Sequence, residues 1–279
     1  MDYAELAVLV GALLAGGLLS GFMAGLLGVG GGITMVPILF QIFIILGVPE
    51  ALQMHMAVGT SLAVIAFTST QSARAHAKRD AIDLAILKFW SPFIMVGAVA
   101  GALIIRGIPA VGLKGMFAIL VFVLALRFIF LPQQERPQGS EPFGRTFQAL
   151  VSTAIGFLSA LVGIGGGTFS VPFLSANGLN IHRAVGTSAA LGFFIALPAA
   201  AGFMWAGAGL PDRPVGSIGY VSVIAFLIMI PATSLGAPWG AASAHRLSRR
   251  TLELIFGGFL LLVSIRMIWA LAASLHWIG

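Results

Sequence analysis

From residue 6 to residue 49 the chain carries no charged side chain, a stretch about twice the ~20 apolar residues that one membrane-spanning helix needs. Its break falls at Gly28-Val29-Gly30-Gly31-Gly32, where consecutive glycines interrupt a helix and leave two apolar segments on either side. Residues 56–73, 84–105 and 113–131 read as three further helices, separated by the charged run Arg74-Ala75-His76-Ala77-Lys78-Arg79-Asp80 and by Arg106-Gly107-Ile108-Pro109. This part of the chain therefore contains five apolar segments. Residues 132–145 (PQQERPQGSEPFGR) are rich in Pro, Gln and charge and read as a solvated linker.

Beyond the linker the pattern returns. Gly21-Phe22-Met23-Ala24-Gly25-Leu26-Leu27-Gly28-Val29-Gly30-Gly31-Gly32 with Val36-Pro37 reappears as Gly156-Phe157-Leu158-Ser159-Ala160-Leu161-Val162-Gly163-Ile164-Gly165-Gly166-Gly167 with Val171-Pro172. His55, Gly59, Thr60 and Ser61 match His182, Gly186, Thr187 and Ser188, and Pro92, Gly97, Gly101, Phe117 and Arg127 match Pro231, Gly236, Gly240, Phe256 and Arg266. Shared glycines, histidines, prolines and an arginine in one order are the mark of an internal duplication. The expected organisation is a first membrane repeat over 1–131, a cytoplasmic linker over 132–146 and a second membrane repeat over 147–279.

Charge placement gives the relative orientation of the repeats. The basic loop of Arg74, Lys78 and Arg79 corresponds to residues 206–216, which hold only Asp212 and Arg213. The sparse loop of Arg106 and Lys114 corresponds to the basic run Arg246, Arg249 and Arg250. Basic loops stay cytoplasmic, so the two repeats are expected to be inverted, with an odd number of crossings each and both termini external. Five full spans meet that requirement, and so do three spans plus a re-entrant hairpin formed by the segments flanking the glycines. The segments after the glycines are short and contain Pro37 and Pro172, which favours broken helices.

Composition agrees with the pattern: 59% of the residues are hydrophobic and 9% are charged, against about a quarter charged in soluble domains. The fold class expected is an all-α, multi-pass membrane protein. The acidic start Met1-Asp2-Tyr3-Ala4-Glu5 and the long apolar run behind it predict that the first segment is retained rather than cleaved. The net charge of +6 orients loops and does not point to nucleic acid. The absence of cysteine removes thiol chemistry and thiolate-bound metals.

Glycine runs at membrane depth free backbone N–H groups, and the helix that follows adds its positive end, so each repeat offers a nest for a small anion. The candidate binding residues are Gly30, Gly31, Gly32, Thr60 and Ser61 in the first repeat, with Gly165, Gly166, Gly167, Thr187 and Ser188 in the second. A tight turn or close helix packing explains the glycines equally simply, and membrane hydroxyls often bond back to their own helix. His55 and His182, at helix entrances, are candidate proton or anion relays. Arg127 and Arg266, a matched pair well inside their segments, are candidate electrostatic guides or snorkelling anchors. The carboxylates all lie in loops or at segment ends, so no acidic proton or cation site is placed at mid-membrane. No Walker, HExxH or GxSxG motif occurs, and neither an enzyme nor a cofactor nor a metal is expected.

The paired glycine blocks, each followed by Val-Pro and later by Ala-Val-Gly-Thr-Ser, resemble the TauE/SafE family of membrane permeases across nearly the whole chain. The resemblance implies a bacterial inner-membrane secondary carrier that moves sulfite, a sulfonate or a related small sulfur-containing anion, often outward. An anion channel, or a carrier for a non-sulfur solute or a cation, stays open at this stage, as does a homo-oligomer. The positions carried over are Gly28, Gly30, Gly31, Gly32, Pro37, Gly59, Thr60 and Ser61, with Gly163, Gly165, Gly166, Gly167, Pro172, Gly186, Thr187 and Ser188. Ile33-Thr34-Met35 faces Thr168-Phe169-Ser170, so the two half-sites differ chemically.

Overall fold

A computed structural model describes residues 3–27, 31–131, 143–244 and 249–275. The linker residues 132–142, the basic residues 245–248, both extreme termini and the glycine-run residues Gly28, Val29 and Gly30 lie outside the described residues. Ten α-helices account for nearly all of the described chain. The first five are α1 (Tyr3–Leu27), α2 (Gly32–Ile45), α3 (Glu50–Ala77), α4 (Leu84–Ile104) and α5 (Ala110–Phe130). The second five are α6 (Arg145–Val162), α7 (Gly167–Ala176), α8 (Ile181–Ala206), α9 (Val223–Ala244) and α10 (Arg249–Ser274).

Eight of these helices are long and apolar enough to cross a membrane, which makes the chain an all-α polytopic membrane protein. The other two are α2, with 14 residues, and α7, with 10. At 1.5 Å per residue they reach about 21 Å and about 15 Å, short of a ~30 Å hydrocarbon layer. Each set of five thus combines four long helices with one short one, the proline-containing segment that follows the glycine run. Glycines mark the helix ends around these short elements. Gly163, at φ 72°, closes α6 in the left-handed region, which favours glycine. Gly47 and Gly178, at φ 66° and φ 95°, end the turns after α2 and α7.

The helices pair across the two sets. α1 packs on α9, α4 on α6, α5 on α10 and α3 on α8. The first two pairings are made at glycines. A Cβ on Gly97 would run into the carbonyl oxygen of Thr153, and one on Gly236 into that of Leu18. Thr153 and Leu18 hold the same place in the matched glycine blocks, as Gly97 and Gly236 do in the later ones, so the two crossings use equivalent atoms. Close backbone approach of this kind replaces hydrophobic attraction, which lipid does not supply between helices.

Two local expectations change. Lys114 is not in a loop: α5 begins at Ala110, directly after Pro109, so Lys114 sits in its second turn, 2% exposed. There it donates to Glu50 at 3.1 Å and to Ser274 Oγ at 2.5 Å and lies over the Phe40 ring, tying α3, α5 and α10 together. The connection between α8 and α9 also carries a small antiparallel pair, β1 (Ser217–Ile218) and β2 (Val221–Ser222), that the sequence pattern did not predict. Its turn residue Gly219 has φ 55°.

Candidate functional site

The glycine run Gly165-Gly166-Gly167 leads directly into α7. Phe169 and Ser170 both bond back to the Gly166 oxygen, leaving the N–H groups at the start of the helix as orphan donors. In front of them lies a cavity of about 120 Å³. Gly165, Gly166 and Gly167 form one wall, Ser188 and Gly192 of α8 a second, and Thr68, Ser69 and Ser72 of α3 a third, with Ala24 and Gly25 of α1 and Ala237 of α9 completing it. Ser188 is fully buried and its Oγ has no hydrogen-bond partner. Thr168 and Ser170, on the first turn of α7, are also buried with unpartnered hydroxyls, although neither belongs to the lining of the cavity.

Those donors have a common chemistry. Backbone N–H groups and hydroxyls converge where no side chain lining the cavity is charged, and the helix start contributes partial positive charge. Such a place favours an acceptor-rich group, and an unfilled buried hydroxyl is costly unless something accepts from it. Its volume is somewhat below the ~150 Å³ of a cavity that takes benzene, which suits an oxyanion head group.

The expected residues divide sharply. Gly165, Gly166, Gly167 and Ser188 meet at this cavity. Gly31 and Gly32 stand at the start of α2, with Gly31 at φ 73°, whereas Gly30 lies outside the described residues. Ser61 donates to the Gly163 oxygen at 2.9 Å and so bridges α3 to the turn after α6. Thr60 and Thr187, both fully buried, are not in the lining of the cavity, and their hydroxyl oxygens accept from backbone N–H groups. Thr60 takes the Ser222 N–H at 3.0 Å, ahead of α9, and Thr187 takes the Asp83 N–H at 2.8 Å, ahead of α4.

The paired histidines and arginines are not drawn to the cavity. His55 is buried, lies 3.0 Å through Nε2 from the Ile108 oxygen and stacks on Tyr220 at 4.7 Å. Burial pushes the Tyr220 phenol above its usual range. His182 is exposed. Arg127 lies in the last turn of α5, and Arg266 lines a separate groove between α2 and α10, where it bonds to Gln41. The wall from α3 is what sequence reasoning missed. Its signal was present as the polar run Thr68-Ser69-Thr70-Gln71-Ser72 at the end of an apolar segment, but nothing in the sequence shows which helix that run faces.

Comparison with known proteins agrees with this architecture. The family described as sulfite exporter TauE/SafE matches residues 13–267. A "probable membrane transporter protein" of Haemophilus influenzae is 34% identical over 253 residues, covering 90% of this chain and 95% of that protein. Proteins given the same description are 29% identical in Methanocaldococcus jannaschii, over 92% of this chain and 94% of the relative, and 29% identical in Bacillus subtilis, over 91% and 95%. No solved structure gives a significant match. With eight helices of membrane length and a family match over most of its sequence, the chain belongs to the sulfite exporter TauE/SafE family and is a membrane transporter.

Proposed function

We propose that this transporter is a secondary carrier that exports a small anion, sulfite or a sulfonate head group before others, and holds it at the start of α7. One observation carries the reading: the unpartnered, fully buried Ser188 hydroxyl shares a cavity with Gly165, Gly166 and Gly167 at the positive end of a helix. A cation carrier fits less well, because no carboxylate lines that cavity. In this reading each short helix, α2 or α7, completes a crossing together with the chain that flanks it, so that each repeat crosses an odd number of times, and the two inverted repeats rock against each other around the ligand, without ATP. The basic loop of Arg74, Lys78 and Arg79 faces the cytoplasm of a bacterial inner membrane. A potential negative inside then drives the anion outward with ~2.3 kcal/mol per elementary charge per 100 mV.

Flux in liposomes tests the proposal. Purified protein should move sulfite saturably at clamped voltage, with competition from sulfoacetate and none from gluconate. Gly166→Val should abolish that flux in a folded protein, because a Cβ there already stands 2.9 Å from Ile195 Cδ1. Folded protein that moves no anion, or a Gly166→Val variant that transports normally, would overturn the reading.

A further inference from the structure

The two halves of the molecule do not offer the same site. The register that pairs Thr60 with Thr187 also pairs Ile65 with Gly192, Thr68 with Ile195, Ser69 with Ala196 and Ser72 with Ala199. Around α7 the members of these pairs are one glycine and three hydroxyls, and the cavity lies among them. Their counterparts Ile65, Ile195, Ala196 and Ala199 are apolar and fully buried. Ile65 Cδ1 fills the space where a Cβ on Gly32 would go. The serines follow the same division, since Ser61 spends its hydrogen on the Gly163 oxygen while Ser188 keeps its own free. On the first turns of the short helices, Thr168 and Ser170 stand where the first half has Ile33 and Met35.

We infer that one ligand is bound, at the start of α7 between α8 and the polar end of α3, and that the matching place at the start of α2 is a plug closed by Ile65. Gly192 is then the position that keeps the α7 site open. A Cβ added there would stand 2.7 Å from Ser69 Oγ and 3.9 Å from the Gly166 nitrogen, crowding the hydroxyl wall and covering a backbone donor. The inference rests on the anion-carrier reading and adds two statements to it. One chain holds one ligand, and the residues that decide where it sits are Gly192 and Ile65, neither of which donates a hydrogen bond to it through its side chain. The inequality is written in residue types, so it persists through any rocking of the two halves.

Equilibrium binding of radiolabelled sulfite to the detergent-solubilised full chain, by scintillation proximity, separates the possibilities. The expected result is one sulfite per chain. Gly192→Ala should weaken binding roughly tenfold, about 1.4 kcal/mol. The melting temperature of Gly192→Ala should stay close to that of the wild type, because the added methyl meets only the tip of the Ser69 side chain, and this separates a covered site from a folding defect. Thr68→Val, isosteric and lacking the wall hydroxyl that otherwise bonds back to the Ile65 oxygen at a long 3.3 Å, should weaken binding roughly threefold, and Ile65→Ala should leave it within about twofold. Two sulfites per chain, wild-type binding by Gly192→Ala, or an Ile65→Ala loss as large as that of Gly192→Ala would overturn the one-sided site while leaving the anion carrier standing. No sulfite binding by the folded wild-type chain would overturn both.

Discussion

Ser61 and Ser188 occupy the same place on matched helices, both are fully buried, and they do different things. Ser61 ties α3 to the turn after α6 through the Gly163 oxygen. Ser188 faces a cavity with an unused hydroxyl. What separates them is their neighbours, Ile65 on one side and Gly192 on the other. Two stretches of chain that share their glycines, prolines and hydroxyls in one order can therefore differ, through a single neighbouring side chain, in whether a buried hydroxyl is already used.

The comparison can be tested at three levels. The largest effect belongs to the backbone crossings, where the halves should behave alike. Gly97→Val and Gly236→Val each drive a side chain into a carbonyl of the helix opposite, and each should cost ~3 kcal/mol or more, read as lost thermal stability in detergent. A large loss for one and none for the other would show that the crossings are not equivalent. The next effect is smaller and again symmetrical. Thr60→Val and Thr187→Val strip an acceptor from the buried side of a backbone N–H and should each cost ~1–3 kcal/mol of stability, with the KM for anion flux unchanged. The smallest effect is where the halves should part. Ser61→Ala should lower stability by ~1 kcal/mol and leave KM alone, whereas Ser188→Ala should raise KM roughly tenfold with stability little changed. Matching KM changes for the two serines would remove the distinction between them.

Much of the framework was legible in the sequence because membrane helices declare themselves by length and lack of charge. The duplicated glycines, prolines and histidines supplied the correspondence between α1–α5 and α6–α10. The shortness of α2 and α7 was legible too, because Gly47 and Gly178 end apolar segments that also carry Pro37 and Pro172, whereas how such a short helix sits in the membrane has no local signature. The candidate site was half legible. Gly165, Gly166, Gly167 and Ser188 follow from the repeated motif, but Thr68, Ser69 and Ser72 reach the cavity only because α3 packs on α8, a tertiary fact with no local signature. Thr60 and Thr187 show the converse. A hydroxyl beside a glycine in a membrane helix looks the same in sequence whether it faces a ligand or a backbone N–H of another element. Lys114 illustrates a third limit: its buried pairing with Glu50 depends on α5 starting directly after Pro109, so that a residue expected at the membrane surface is carried into the protein.

The exchange of partners between the two sets of helices also constrains how the molecule is made. α1 leaves the ribosome first, yet its glycine face fits α9, which follows on the order of 200 residues later. At ~5–20 residues per second that is a wait of about 10–40 s. Throughout that interval Gly17 and Gly21, whose final neighbours are Met229, Ala232 and Thr233, have only lipid or the insertion machinery against them. Assembly in the bilayer must therefore finish from the C-terminal side, with the last helices closing on the first.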